Sequence, residues 1–329
     1  MNVTDDIRRP IERQLEEYNG FLARHMKSDN DYVEGILSYI LENGGKSIRP
    51  MTVLLSAALH SPDPDRGLGL RTYLGAMLVE MMHTASLVHD DVIDESDMRR
   101  GKPSVRAMLN SRSAVITGDF ILAKSITVGL DSAQYDIVDY VVRAMGELCE
   151  GELIQSEQSH RLEMTRGIYL DIIRKKTATL FSVSAGIGAM SVGARPEQVA
   201  DIRRFGEYIG MAFQIKDDIL DYDTRTDTGK PACNDLKEQK ITLPLLVLLE
   251  KSAPERKAEL LEKLSSAATK PENIMYLHDA VAAGGGIVES EHVMREYIMK
   301  ACSILAKYPV SPYHNSLVLL ASYAGDRRK

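Results

Sequence analysis

Two stretches of the chain repeat one arrangement of carboxylates. Asp90-Asp91-Val92-Ile93-Asp94 and Asp217-Asp218-Ile219-Leu220-Asp221 each place aspartates at i, i+1 and i+4. On a helix, i and i+4 lie on one face a turn apart, and like charges at that spacing repel. Leu87, Val88 and Ile93 flank the first cluster, and Phe213, Ile219 and Leu220 the second. These apolar neighbours set the carboxylates beside a buried wall, where charge needs a counter-charge. An all-oxygen donor set suits Mg²⁺, which keeps several waters and takes one or two carboxylates together with phosphate oxygens. The duplicated pattern therefore suggests a cage in which several Mg²⁺ ions hold a diphosphate.

Such a cage also needs cations from the protein. Lys46, Arg49, His83, Arg99, Arg100, Lys176, Lys230 and Lys240 are the candidates. Arginine meets phosphate with a planar fork and lysine with a point charge. Lys46 and Arg49 stand beside a helix start, where free backbone N–H groups also favour anions. His83 precedes Asp90 by seven residues, two helical turns, and Gln214 precedes Asp217 by three, so each shares a face with its cluster. Taken singly, each feature is ordinary: acidic turns and solvated lysines are common surface. Two matching clusters on apolar helices, one followed by a double arginine, are not.

The elements that must carry these residues read as helices. Apolar residues recur at helical spacing almost throughout, and period-2 alternation is scarce. Helices are expected over 31–42, ending at Asn43-Gly44-Gly45, over 50–59 with Pro50 at the start, and over 68–94, which carries the first cluster. Further helices are expected over 112–130, 134–160, 166–191 and 197–221, the last bearing the second cluster. Arg99-Arg100-Gly101-Lys102-Pro103 reads as a basic turn, and 223–240 as a polar, mobile loop. The remainder is helical, broken at Gly284-Gly285-Gly286 and Pro309.

The chain has 329 residues with no repeat, low-complexity tract or linker, so one all-α domain over 1–329 is the simplest expectation. A formal charge of −7 argues against a nucleic-acid partner. Three scattered cysteines, Cys149, Cys233 and Cys302, form neither a zinc pattern nor a disulfide framework and fit a reducing, cytoplasmic setting. No apolar run is expected to span a membrane, and the N-terminal residues lack the apolar core of a signal peptide.

With these segments in view, the chain resembles the trans-isoprenyl diphosphate synthases over nearly its whole length. The resemblance rests on Gly44-Gly45-Lys46-Ser47-Ile48-Arg49-Pro50, the run from His83 to Gly101, Gly118-Asp119-Phe120, Lys176-Thr177, the run from Phe213 to Asp221, Gly229-Lys230-Pro231 and Lys240-Ile241-Thr242-Leu243-Pro244. The run from His83 to Gly101 is most similar to the long-chain polyprenyl branch, such as octaprenyl diphosphate synthases. Ser47 and Ile48 depart from the commoner basic residue and leucine. Cys233 and Asn234 stand where the loop often has a glycine and a charged residue.

The resemblance implies an isoprenoid-synthase-type helical bundle around a central cavity. It also implies head-to-tail condensation of isopentenyl diphosphate onto an allylic diphosphate, farnesyl or geranylgeranyl, by a homodimer. In that reading Asp90, Asp91, Asp94, Asp217, Asp218 and Asp221 hold Mg²⁺, three ions per active site. Arg99, Lys176, Thr177, Gln214, Lys230 and Lys240 contact the allylic diphosphate, and Lys46, Arg49, His83 and Arg100 bind isopentenyl diphosphate. The loop 223–240 and the tail Arg327-Arg328-Lys329 are lid candidates. A tunnel for the growing chain is expected along Ala85, Ser86, Met82, Val79 and Leu78, faced by Leu122, Ile126 and Gly129. The small residues Ala85 and Ser86 leave its upper part open and favour a product longer than C20. A geranylgeranyl (C20) product is the alternative, and a class I terpene cyclase a more distant one.

Overall fold

The computed structural model of the protein describes residues 3–223 and 233–327. Residues 224–232, half of the expected 223–240 lid and including Lys230, and Arg328 and Lys329 lie outside the described residues. The helices, in chain order, are α1 (Val3–Arg8), α2 (Glu12–His25), α3 (Asp31–Glu42), α4 (Ile48–His60), α5 (Leu70–Ile93), α6 (Val105–Leu109), α7 (Ser111–Asp131), α8 (Tyr135–Arg161), α9 (Arg166–Ile173), α10 (Thr179–Ser191), α11 (Pro196–Asp221), α12 (Asn234–Lys237), α13 (Leu243–Lys251), α14 (Pro254–Ser265), α15 (Pro271–Ala283), α16 (Gly286–Leu305) and α17 (Pro312–Asp326). The only strands among the described residues are β1 (Met98–Arg99) and β2 (Lys102–Pro103). The all-α expectation holds.

The described residues fall into two compact units. The first comprises Met1–Met145, Leu180–Gly206 and Ile304–Leu320. Its centre is α4 and α5, which are apolar on nearly every face, as suits helices enclosed by others. Leu54, Leu55, Leu74, Met77 and Leu78 are all at most 1 % exposed. Small residues let the helices close on this pair. A Cβ on Gly188 would strike the Val53 carbonyl oxygen and Ser56, and Ser56 Oγ donates to the Ala185 carbonyl at 2.6 Å. Pro50 is tolerated in α4 because it sits in the first turn, where no helical acceptor awaits its missing N–H. Asn30 caps α3, accepting from the Tyr32 and Val33 amides.

The second unit comprises Gly146–Thr179, Glu207–Ser303 and Ala321–Lys329. Its buried spine is α13, from Leu243 to Leu249, with Gly286 set so close to the Pro244 carbonyl that no Cβ fits there. Leu260, Leu264, Leu277 and Val281, fully buried on α14 and α15, add to this core.

Four expectations change on inspection. The helix expected over 166–191 is interrupted by a π-helical turn at Arg174–Ala178. The basic turn after the first cluster is a hairpin pairing Met98 with Pro103 and Arg99 with Lys102, and Arg100 and Gly101 take positive φ (52° and 76°) at its two-residue tip. The part of 223–240 that is described holds the short helix α12. Cys233, just before it, adopts φ 60°, the left-handed region that favours glycine. Finally, α7 is long and apolar enough, by length and composition alone, to cross a membrane, with a mean hydropathy of 1.4 and a third of its apolar window buried.

Candidate active site

The first cluster closes α5. Asp90 lies in its last turn, and Asp94 is its C-cap, donating its amide to the Asp90 carbonyl at 2.8 Å. A helix C-terminus carries the negative end of the backbone dipole, so carboxylates placed there raise the local demand for a cation. Asp91 meets that demand inside the protein. It is 2 % exposed and takes a fork from Arg99 on β1: Nε donates to Oδ1 at 2.8 Å and to Oδ2 at 2.9 Å, and Nη2 lies 2.7 Å from Oδ1. Asp90 is half-buried and Asp94 exposed.

Arg100, at the hairpin tip, donates to the Asn43 carbonyl at 3.2 Å and lies against Gly45, whose missing Cβ leaves room for its guanidinium. The α3–α4 loop that carries Lys46 is thereby joined to the hairpin. His83 is held well below the usual imidazole range by burial and by the nearby Arg49, Arg100 and Arg99, so it is neutral there. Burial pushes the Glu80 carboxyl up, while Arg49 and Arg100 act against that shift. The sequence had not singled out Glu80. Three of the expected cations, Arg49, Arg99 and Arg100, thus come together around neutral His83. Gly118 also finds its reason in this unit: a Cβ there would collide with the ring of His89, which sits 3.4 Å from Asp119 Oδ1.

The second cluster closes α11, again at the negative end of a helix. Here no cation among the described residues meets the buried middle aspartate. Asp218, 3 % exposed, accepts from the Tyr169 hydroxyl at 2.5 Å and from Gln214 Nε2 at 2.9 Å. Burial pushes its carboxyl up to about 7, against those two hydrogen bonds and with the help of Asp217 and Asp221. Gln214 Oε1 in turn accepts from Thr177 Oγ1 at 2.6 Å. The π-helical turn is what presents Thr177 and Lys176. Its backbone runs so close to Gly151 that a Cβ there would meet the Lys176 amide nitrogen, and π-bulges recur at functional sites. Lys176 Nζ is held by Gln155 Oε1 and Glu152 Oε1, both at 2.7 Å.

Asp221 accepts the Asn234 and Asp235 amides, each at 3.0 Å, and so tethers the start of α12. Lys240 pairs with Glu238 at 2.5 Å. Asp217 pairs with Arg327 at 2.7 Å. Tyr169 and Arg327 are the contributors that spacing did not reveal as partners of this cluster. The sequence carries no local signal for a contact between residues 169 and 218, or 217 and 327.

Among the described residues, no three carboxylate, imidazole or thiol groups converge to hold a metal unaided. Mg²⁺ requires no such convergence, because waters and phosphate oxygens fill most of its shell. Half-buried or exposed carboxylates at helix C-termini, namely Asp90, Asp94 and Asp217, suit it. On the expected tunnel face, Ala85, Val79, Leu78 and Met82 are at most 3 % exposed. Leu122 and Ile126 are half-buried, and Ser86 donates to the His83 carbonyl at 2.9 Å. At Gly129 the space a Cβ would take is occupied by Val138, with Leu78 close behind.

Comparison with known proteins matches residues 30–281 to the polyprenyl synthetase family model. An all-trans-nonaprenyl-diphosphate synthase (geranyl-diphosphate specific) of Rhodobacter capsulatus is 34 % identical over 98 % of this chain and 97 % of its own length. A polyprenyl synthase of Caulobacter crescentus, crystallised with calcium and isoprenyl diphosphate, superposes with a TM-score of 0.89 at 31 % identity, covering 99 % of this chain and 98 % of its own. A decaprenyl diphosphate synthase of Rhodobacter capsulatus superposes with a TM-score of 0.91 at 28 % identity, covering 99 % of both chains.

Proposed function

The chain belongs to the polyprenyl synthetase family, and from that membership we propose that it condenses an allylic diphosphate with isopentenyl diphosphate, head to tail and in trans, to a long-chain all-trans polyprenyl diphosphate. The observation that carries this reading is the pair of identically spaced aspartate clusters, each at the C-terminal end of its helix. A carboxylate cluster on a negative helix end is a poor resting place unless a polyvalent cation is part of the design. Divalent metal use follows, with Mg²⁺ the ion and three per active site. When bound, the metal supplies electrostatic stabilisation of the charge that develops on the allylic diphosphate as its C–O bond breaks.

The protein's own residues divide the remaining work. Asp90, Asp94 and Asp217 offer metal-facing oxygens. Asp91, Asp218 and Asp221 act in the same clusters through their bonds to Arg99, to Tyr169 and Gln214, and to the start of α12. Lys176, Thr177, Gln214 and Lys240, with Arg99 and Lys230, orient the allylic diphosphate. Lys46, Arg49, Arg100 and neutral His83 bind isopentenyl diphosphate, with His83 able both to donate and to accept. Among the described residues no side chain is an evident base for the proton that leaves last, so the departing pyrophosphate is its acceptor.

Small Ala85 and Ser86 on α5 support a product beyond C20, in the hexaprenyl to decaprenyl range, as do the nonaprenyl and decaprenyl synthases among the relatives. A homodimer is supported by the exposed apolar stripe on α7 and α8. Val115, Ile116, Phe120 and Val142 are 41, 58, 37 and 37 % exposed, more apolar surface than a lone helix pair leaves to water without reason. The 329 residues are read as one catalytic domain, and the free thiols of Cys149, Cys233 and Cys302 suit the cytoplasm.

Incubation of the protein with farnesyl diphosphate, labelled isopentenyl diphosphate and Mg²⁺, followed by chromatography, tests the reading. Labelled products longer than C20, with pyrophosphate released only when both substrates are present, are expected. Pyrophosphate release from the allylic substrate alone would place the protein with the terpene cyclases instead, and a product that stops at C20 would sink the long-chain assignment.

A further inference from the structure

The most completely held arginine in the second unit is Arg327. Its side chain is 7 % exposed. Nη2 lies 2.7 Å from Asp217 Oδ1 and donates to the Phe213 carbonyl at 2.6 Å, and the guanidinium carbon stands 3.4 Å from the centre of the Phe213 ring. Its backbone amide donates to the Tyr323 carbonyl at 3.3 Å, so the last turn of α17 delivers it. Nε is buried and has no hydrogen-bond partner among the described residues. This differs from a surface ion pair of the kind that contributes little, because a ring, a carbonyl and a carboxylate converge on one cation. Asp217 itself keeps 43 % of its side chain exposed. The arginine therefore takes one carboxylate oxygen and leaves the outer side of the group open.

Building on the reading of Asp217 as a metal ligand, we propose that Arg327 is the resident counter-ion of Asp217 in the second aspartate cluster, offsetting that carboxylate's charge so that divalent metal enters together with the diphosphate and not alone. A divalent ion on the open side of Asp217 would share that carboxylate with a full positive charge. Even with water-like screening, that repulsion weakens metal binding by roughly tenfold. A diphosphate reverses the balance. Its negative charge offsets the repulsion, and its oxygens offer the guanidinium another partner. A metal alone meets Arg327, whereas a metal arriving with diphosphate does not have to overcome it.

The test is metal binding, not turnover. Full-length protein is titrated with Mn²⁺, a probe for hard-oxygen Mg²⁺ sites, and free Mn²⁺ is counted by electron paramagnetic resonance with and without inorganic pyrophosphate. Arg327→Gln should bind Mn²⁺ alone roughly tenfold more tightly than the wild type, and Arg327→Lys, which keeps the charge, should stay near wild type. With pyrophosphate present, wild type and Arg327→Gln should agree within about twofold. Phe213→Leu removes the ring beneath the guanidinium without changing charge. It should move metal-alone binding in the same direction by a smaller factor, and it serves if Arg327→Gln does not fold. Unchanged or weaker Mn²⁺ binding by Arg327→Gln, alongside normal pyrophosphate-dependent binding in the wild type, overturns the counter-ion role only. Failure of the wild type to bind Mn²⁺ even with pyrophosphate removes the metal-site reading on which the inference stands.

Discussion

The two aspartate clusters share their spacing and their position at a helix end, yet they neutralise their buried member by different means. In the first, Asp91 is satisfied by a cation, the fork of Arg99 from a hairpin that begins only a few residues downstream. In the second, Asp218 is satisfied by two neutral donors, Tyr169 and Gln214, and its carboxyl rises to about 7. The cation near the second cluster, Arg327, goes to the outer aspartate, Asp217. The difference teaches that a sequence motif specifies where charge will be, but the surrounding tertiary structure decides which carboxylate stays available. At both ends the middle aspartate is structural in its contacts, and the first of the three keeps an open side, as does Asp94 in the first cluster.

The largest test of that division is activity. Asp90→Ala and Asp217→Ala should each lower turnover by about 10³-fold or more, because a metal clamp on the leaving group is worth several kcal/mol. Steady-state rates with saturating Mg²⁺ check this. Near-normal turnover in either variant would show that the two clusters are not equivalent partners in ionisation.

Stability should separate the middle aspartates. Asp91→Asn leaves the Arg99 guanidinium without its charge partner at a site only 2 % exposed on the aspartate side and 28 % on the arginine side. A loss of about 3 kcal/mol is expected, at the low end for a broken buried pair. Asp218→Asn keeps the shape and removes a charge that burial opposes, so its loss should stay near 1 kcal/mol, the value of one misdirected hydrogen bond. Urea titration of both variants decides. Equal losses would mean that the two wells around these aspartates are energetically alike despite their different partners.

How much of this could be read from the chain depends on how local the cause is. The ends of α3, α5 and α11 fall within two residues of the expected 31–42, 68–94 and 197–221, because apolar spacing and Gly or Pro stops are local signals. The hairpin at residues 98–103 read only as a basic turn, since two-residue strands are too short to show alternation. The π-helical turn at Arg174–Ala178 covers a polar run, Arg-Lys-Lys-Thr, between two apolar helical stretches, and a polar run of that length reads equally well as the solvated side of one continuous helix. The placement of the aspartate clusters at the ends of α5 and α11 was legible for the same reason as the helices. The pairings of Tyr169 with Asp218 and of Arg327, named only as part of a basic tail, with Asp217 were not, because each meets its aspartate across many residues of chain and neither sits in a pattern with it.

Kinetics with each substrate varied in turn sharpen the comparison at the level of the cations. Lys46→Ala and Arg49→Ala should raise the KM for isopentenyl diphosphate about tenfold, and that for the allylic primer far less. Lys176→Ala, on the π-helical turn in the second unit, should do the reverse. A tenfold change is about 1.4 kcal/mol, within reach of one charged contact to phosphate. Equal effects on both substrates from any of the three would erase the assignment of one cation set to each diphosphate.

The smallest effect expected is one of pH, and it concerns His83. Its neighbours Arg49, Arg99 and Arg100 are all positive, and with burial they hold its folded pKa below the ordinary imidazole value. The sign follows from linkage. Above pH 6.5 the imidazole is neutral folded and unfolded, so it imposes no penalty. As pH falls below 6.5 the unfolded chain takes up a proton that the folded protein resists, and stability declines until the folded pKa is reached. Wild type should therefore lose on the order of 1 kcal/mol more between pH 7 and pH 5.5 than His83→Gln, which cannot titrate. Melting temperatures of the two proteins across that range measure the difference. The comparison with the second cluster makes the experiment specific. Protonation adds a fourth positive charge beside α5, whereas at Asp218 burial favours the neutral form. If His83→Gln loses as much stability as the wild type on acidification, the arginines around the first cluster do not hold His83 neutral, and its pairing of donor and acceptor for isopentenyl diphosphate loses its physical basis.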